Sequence, residues 1–245
     1  MTIVMLTAVF AGCEKLPDTR LITDSDYRTA VNSAKYYLNT YPVCSYMSRD
    51  EFIEVVNQDP KVSHDYAVTA VDSLGIDWDY HAYLRAVTLL PQSFPAHNIY
   101  EQMVFSLKEF HFTEAQAENG VNKAFIDYGY GDSLSFTTNE RDSYMCAKVY
   151  QTANHVHWSR AQYIQNVSMT MYKTKDREEV VFAVDHLGLD WKDEAYQAAK
   201  GLLIGMKEMG MPDLNELTDW LLKQEFTQEQ AQFGAEKAFL EVARS

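Results

Sequence analysis

FTEAQAENGVNKAF, residues Phe112 to Phe125, returns 114 residues later as FTQEQAQFGAEKAF, Phe226 to Phe239, with eight of fourteen positions identical. AVDSLGIDW (Ala70 to Trp78) returns 113 residues later as AVDHLGLDW (Ala183 to Trp191). Two echoes at nearly one offset are the mark of an internal duplication. Catalytic centres are ordinarily single and asymmetric, whereas repeated units stack into extended surfaces, so the duplication points to binding.

The repeated stretches read as helices with explicit start signals. A hydroxyl or carboxylate followed three residues later by Glu or Gln is a capping box, in which the first side chain caps a free N–H and the second reaches back. Ser48 with Glu51, Thr113 with Gln116, Ser159 with Gln162, Asp213 with Glu216 and Thr227 with Gln230 all fit. An apolar residue precedes four of these caps (Met47, Phe112, Trp158, Phe226) and another follows at the fourth position (Phe52, Ala117, Tyr163, Ala231), the spacing of a hydrophobic staple. Gly75 and Gly188 read as helix stops, with new caps at Asp77 and Asp190. Periodicity near 3.6 residues recurs throughout, and no segment alternates with period two. Ten Gly and six Pro are too few for a turn-rich β fold.

Small residues four apart (Ala30/Ala34, Ala82/Ala86, Ala195/Ala199) let a neighbouring helix approach closely, and Gly120 and Gly234 fall inside helical patterns where a close crossing accounts for them. Trp78 and Trp191 read as wedges between successive units. The expected fold is all-α: about four tandem three-helix units, arranged as two duplicated halves. The halves are a first repeat pair over 25–130 and a second over 140–245, joined by a Gly-, Ser- and Thr-rich linker at 131–139.

The chain holds 35 acids against 21 bases, a formal charge of −14. A field of that sign repels phosphate backbones and attracts a basic segment of another protein. Helices with so few bases do not suit DNA recognition, so no nucleic-acid partner is expected. Cys44 and Cys146 do not align in the duplication and read as small buried residues rather than a disulfide. His155 and His157 cannot share a helix face, and no third ligand follows at useful spacing, so no metal and no cofactor are expected. No phosphate loop, nucleophile elbow or zinc-protease motif is present, and the chain does not read as an enzyme.

The N-terminus reads differently. An apolar run, Ile3 to Ala11, leads into Gly12-Cys13 and then into charged residues. Such a run is too short to span a bilayer but suits a secretory signal, and small residues before a Cys suit lipoprotein processing. The expectation is a signal peptide over 1–12, a lipid on Cys13 and an anchored spacer over 13–24.

Together, FT-x-x-QA-x-x-G-x-x-KAF (Phe112, Thr113, Gln116, Ala117, Gly120, and Phe226, Thr227, Gln230, Ala231, Gly234), the pairs Asp77-Trp78 and Asp190-Trp191, and the Gly12-Cys13 site resemble the Ltp family of host-cell-surface-exposed lipoproteins, with helix-turn-helix-like repeats. The likeness runs over 25–243. The first and third units lack the FT-x-x-QA motif, and their third helices are expected near Ser63 and Thr174. The resemblance implies a membrane-anchored, outward-facing lipoprotein of a prophage or lysogen. Its implied role is superinfection exclusion, blocking DNA entry by a second phage through capture of its tape-measure or another tail protein. Two other readings stay open: an envelope-interaction or adhesion lipoprotein with no phage role, and an acidic DNA mimic that occupies a nucleic-acid-binding protein.

If capture is electrostatic, the contact residues lie where acids crowd. Residues 208–236 contain seven acids and one base, and 176–194 seven acids and two bases. The expected partner-binding set is Glu178, Glu179, Asp213, Glu216, Asp219, Glu225 and Glu229.

Overall fold

The computed structural model describes residues 25–90, 98–153, 157–171, 177–206 and 210–242. The expected signal over 1–12, Cys13, the spacer over 13–24, Thr174 and His155 lie outside them. Among the described residues the chain forms twelve α-helices and no strand. They are α1 (Ser25–Thr40), α2 (Arg49–Asn57), α3 (His64–Ser73), α4 (Trp78–Leu89), α5 (Ile99–Glu109), α6 (Glu114–Asp127), α7 (Thr138–Ala153), α8 (Arg160–Thr170), α9 (Arg177–Asp185), α10 (Trp191–Met206), α11 (Leu214–Lys223) and α12 (Gln228–Val242). None is long and apolar enough to cross a membrane.

All five expected capping boxes form. At α2 the Ser48 N–H donates to Glu51 Oε2 at 2.9 Å and the Glu51 N–H to Ser48 Oγ at 3.3 Å. At α11 both distances, between Asp213 and Glu216, are 2.9 Å. The boxes at Thr113, Ser159 and Thr227 are made the same way. A sixth lies inside the stretch read as linker: the Thr137 N–H donates to Glu140 Oε2 at 2.9 Å and the Glu140 N–H to Thr137 Oγ1 at 3.4 Å. The stretch 131–139 thus holds the start of α7, preceded by a short 3-10 helix at Gly131–Ser135. Five residues are too few to show periodicity, and the buried Arg141 guanidinium secures the turn by donating to the carbonyls of Ser133 and Phe136 at 3.1 Å each. Ser63 stands at the N-cap of α3 without a side-chain cap bond.

Helices α1–α6 form one compact unit and α7–α12 another. In the first, α1 packs on α3, and α2 completes a core of Ala30, Ala34, Phe52, Ile53, Val56, Ala67 and Ala70. A nine-residue helix such as α2 is marginal alone. Burial of Phe52, Ile53 and Val56 holds it, each fully buried side chain of this size contributing about 1.5–3 kcal/mol. Trp78, the first residue of α4, packs against this same core, its ring 6.3 Å from Phe52. Helix α4 in turn packs on α6, with α5 against both. Gly120 makes the crossing possible: a Cβ there would sit 2.7 Å from the Ala82 carbonyl carbon.

The second unit has the corresponding pairs, α7 on α9 and α10 on α12, with α8 and α11 against them. A Cβ on Gly234 would sit 2.6 Å from the Ala195 carbonyl carbon. Trp191 opens α10 with its ring 5.8 Å from Tyr163, and Trp158 completes the staple at 5.3 Å from the same ring. Cys44 and Cys146 are both buried and are not joined to each other in a disulfide.

Candidate binding surface

The acidic residues singled out by charge lie on or beside α9, α11 and α12, and their carboxylates are not equivalent. Asp213 and Glu216 complete the capping box of α11, and Asp213 Oδ1 also accepts the Asn215 N–H at 2.8 Å. Glu229 pairs with Lys192 across α10 and α12 at 2.6 Å, which holds its carboxyl below the usual Glu range. Glu179 Oε1 accepts from Asn139 Nδ2 at 2.8 Å, while its Oε2 is buried with no hydrogen-bond partner among the described residues. Glu178, Asp219 and Glu225 are exposed. Glu225 also has φ +65, the left-handed region unfavourable to a side chain.

A duplicated polar clamp escaped the sequence reading. Along the α10–α12 seam, Lys200 pairs with Glu241 at 2.6 Å, Lys237 with Asp193 at 3.2 Å, and the Tyr196 hydroxyl donates to Glu241. The hydrogen bond from Lys200, followed by that from Tyr196, lowers the Glu241 pKa. Lys237 Nζ lies 3.9 Å over the Tyr196 ring. Along the α4–α6 seam, Tyr83 bonds Asp127, which with burial pushes its pKa up to about 12, and Lys123 Nζ lies 4.5 Å over the Tyr83 ring. Tyr83, Lys123 and Asp127 match Tyr196, Lys237 and Glu241 at the offset of the duplication. That offset was the available signal. Both sets lie along the helix pairs that meet at Gly120 and Gly234.

Two apolar features open to solvent. One is a groove of about 600 Å³ at the α10–α11 junction, lined by Leu202, Met206, Met211, Pro212 and Trp220, with Glu216 and Lys223 also in its wall. The other is a cluster of Tyr36, Tyr37 and Tyr41 at the end of α1, with ring centroids 5.8 to 6.1 Å apart and Tyr36 57% exposed. The segment around it, 27–49, contains no acid. Neither feature was legible in advance, because periodicity does not say which aromatic rings remain uncovered.

Among the described residues no group of three or more His, Cys, Asp or Glu is placed to hold a metal. His157 Nδ1 instead lies 3.0 Å from Glu194 Oε2. Chemically, exposed carboxylates beside an apolar groove suit noncovalent recognition of a partner that is both basic and apolar. Compared with known family patterns, curated proteins and solved structures, the chain matches none of them.

Proposed function

We propose that this chain is a non-catalytic binding protein made of four copies of one three-helix unit, held at the outer face of the cell membrane by a lipid on Cys13. In that role it blocks DNA entry by a superinfecting phage by capturing a basic segment of an incoming tail protein, of the tape-measure kind. The duplication supports the repeat: Gly120 against Ala82 and Gly234 against Ala195 are the same crossing made twice. The observation that carries the binding role is the charge asymmetry of 208–236, seven acids to one base, in a stretch where Glu225 and Asp219 are exposed. An enzyme would not need its polar groups in two matched sets, whereas a repeat scaffold does.

The test is a phage challenge of cells expressing the full chain beside cells expressing Cys13→Ser, scoring adsorption, DNA entry and plaques. The expected outcome is normal adsorption with blocked DNA entry, lost in Cys13→Ser. No protection against any phage that infects the native host sinks the exclusion role. The exposed, acid-free tyrosine cluster at the end of α1 favours a second reading, an envelope-interaction lipoprotein of the same architecture, which that outcome would leave standing.

A further inference from the structure

The groove at the α10–α11 junction is walled on its α11 side by residues that differ in kind from their counterparts in the first unit. Helix α5 corresponds to α11, and their buried positions agree in character: Met103 matches Leu217, Leu107 matches Leu221 and Phe112 matches Phe226. Two groove positions on α11 do not agree. Trp220 stands where α5 has Ser106, and Glu216 where α5 has Gln102. The first unit packs α5 on α4 and α6 without that Trp. The second unit thus sets a half-buried Trp, packed against its core, in the same groove wall as Met211, which is 39% exposed.

Charge then selects the occupant. Helix α11 and its flanks carry Asp213, Glu216, Asp219 and Glu225 against the single base Lys223. A purely apolar partner leaves that field unused, and an acidic one is repelled. An amphipathic helix with a basic face satisfies both features, since its anchors enter the groove and its cations meet the carboxylates. Methionine walls suit such an occupant because they repack around different anchors.

We propose that this groove receives a basic amphipathic helix of a partner protein, with its Leu, Met or Phe anchors on Trp220 and Met211 and its Lys or Arg side chains toward Glu216 and Asp219. The assignment rests on the reading of the chain as a receptor for a basic segment. It adds the place and the required conformation: charge alone would bind any basic chain, whereas a groove demands helical spacing.

The probe is a labelled synthetic Leu/Lys peptide with its leucines at helical spacing, beside a permuted peptide of the same composition, titrated by fluorescence anisotropy against the purified full chain. The expected result is saturable binding of the amphipathic peptide only, weakening as salt rises. Trp220→Ser, which restores the sister unit's residue, weakens it by at least about tenfold, the effect of losing a central aromatic anchor. Because Trp220 also touches the core, Met211→Lys serves as the second variant, at an exposed position, with the same expected loss. Equal binding of the permuted peptide, or unchanged binding in both variants, overturns the proposal. If the peptide results hold while cells expressing the full chain show no phage protection, the exclusion role falls and the groove assignment stands. If protection holds and both variants bind the peptide unchanged, the groove assignment falls and the exclusion role stands.

Discussion

Gly234 lies so close to Ala195 that a Cβ added to it would come within 2.8 Å of the Ala195 carbonyl oxygen and 2.6 Å of its carbonyl carbon. The obstacle is backbone, which cannot rotate away as a side-chain tip can. Gly120 meets Ala82 in the same way. The corresponding residues in α3 and α9 are Ala70 and Ala183, both fully buried, so a Cβ is accommodated at those two positions and not at Gly120 and Gly234.

Gly234→Ala is therefore expected to destabilise the protein by about 1–3 kcal/mol, the usual cost of overpacking, despite the better helix propensity of Ala. Gly201→Ala, in the facing helix α10 with nothing within 4 Å of its added Cβ, is expected to stabilise by about 0.5–1 kcal/mol. Urea denaturation of the two variants reads opposite signs from the same chemical change. A neutral Gly234→Ala would mean that the crossing is looser than 2.6 Å allows.

His111 and Glu225 end α5 and α11 with φ +60 and +65. In both, the next residue's N–H reaches back five residues, Phe112 to the Leu107 carbonyl and Phe226 to the Leu221 carbonyl, each at 3.2 Å. This is the Schellman ending, which glycine usually occupies. Replacement by Gly relieves the left-handed strain of a side chain, about 1–2 kcal/mol, at an entropic cost of about 0.5–1 kcal/mol. His111→Gly and Glu225→Gly are each expected to raise the melting temperature, whereas Ala at either position is not.

His81 is buried in α4 with Nδ1 3.1 Å from the Met47 carbonyl, and burial holds its pKa below the ordinary 6.5. The unfolded chain takes up a proton near pH 6.5 that the folded chain refuses until lower pH. Stability is then lost as pH falls from 6.5 toward the folded pKa. His81→Gln is expected to flatten that part of the pH profile, measured as the denaturation midpoint between neutral and mildly acidic buffers. An unchanged slope would assign the loss to other groups.

Arg49 reaches Asp72 with two bonds, at 2.7 and 2.8 Å, and Arg160 reaches Asp185 with two, at 2.5 and 2.7 Å. Each pair ties the start of a second helix to the end of the third, at matching places in the two halves. The four side chains are 37 to 49% exposed, so solvent screens them. Double-mutant cycles are expected to give coupling below about 1 kcal/mol, and less in high salt. A larger value would mean that the pairs set stability and not only helix register.

The helical class, the capped starts, the stops at Gly75 and Gly188 and the need for a close approach at Gly120 and Gly234 were all legible in the sequence. Each depends on residues within one or two helical turns, where backbone geometry alone links spacing to structure. The start of α7 was hidden because a Gly-, Ser- and Thr-rich run overlapped the Thr137–Glu140 box. The Tyr196, Glu241 and Lys237 clamp was visible only as an unused echo of Tyr83, Asp127 and Lys123.

The state of each surface group was decided by tertiary structure. From sequence, Glu229 and Glu225 are equal acids in one acidic stretch. In the fold both are exposed, but Lys192 from α10 pairs with the first at 2.6 Å, while the second sits in a left-handed turn. Likewise Tyr163 is buried and Tyr36 is 57% exposed, although both are aromatic residues within amphipathic helices. Local spacing specifies which turns of chain become helix, because caps and stops act over a few bonds. Which carboxylate is spoken for, and which ring or groove meets solvent, depends on partners tens of residues away, and only packing brings those together.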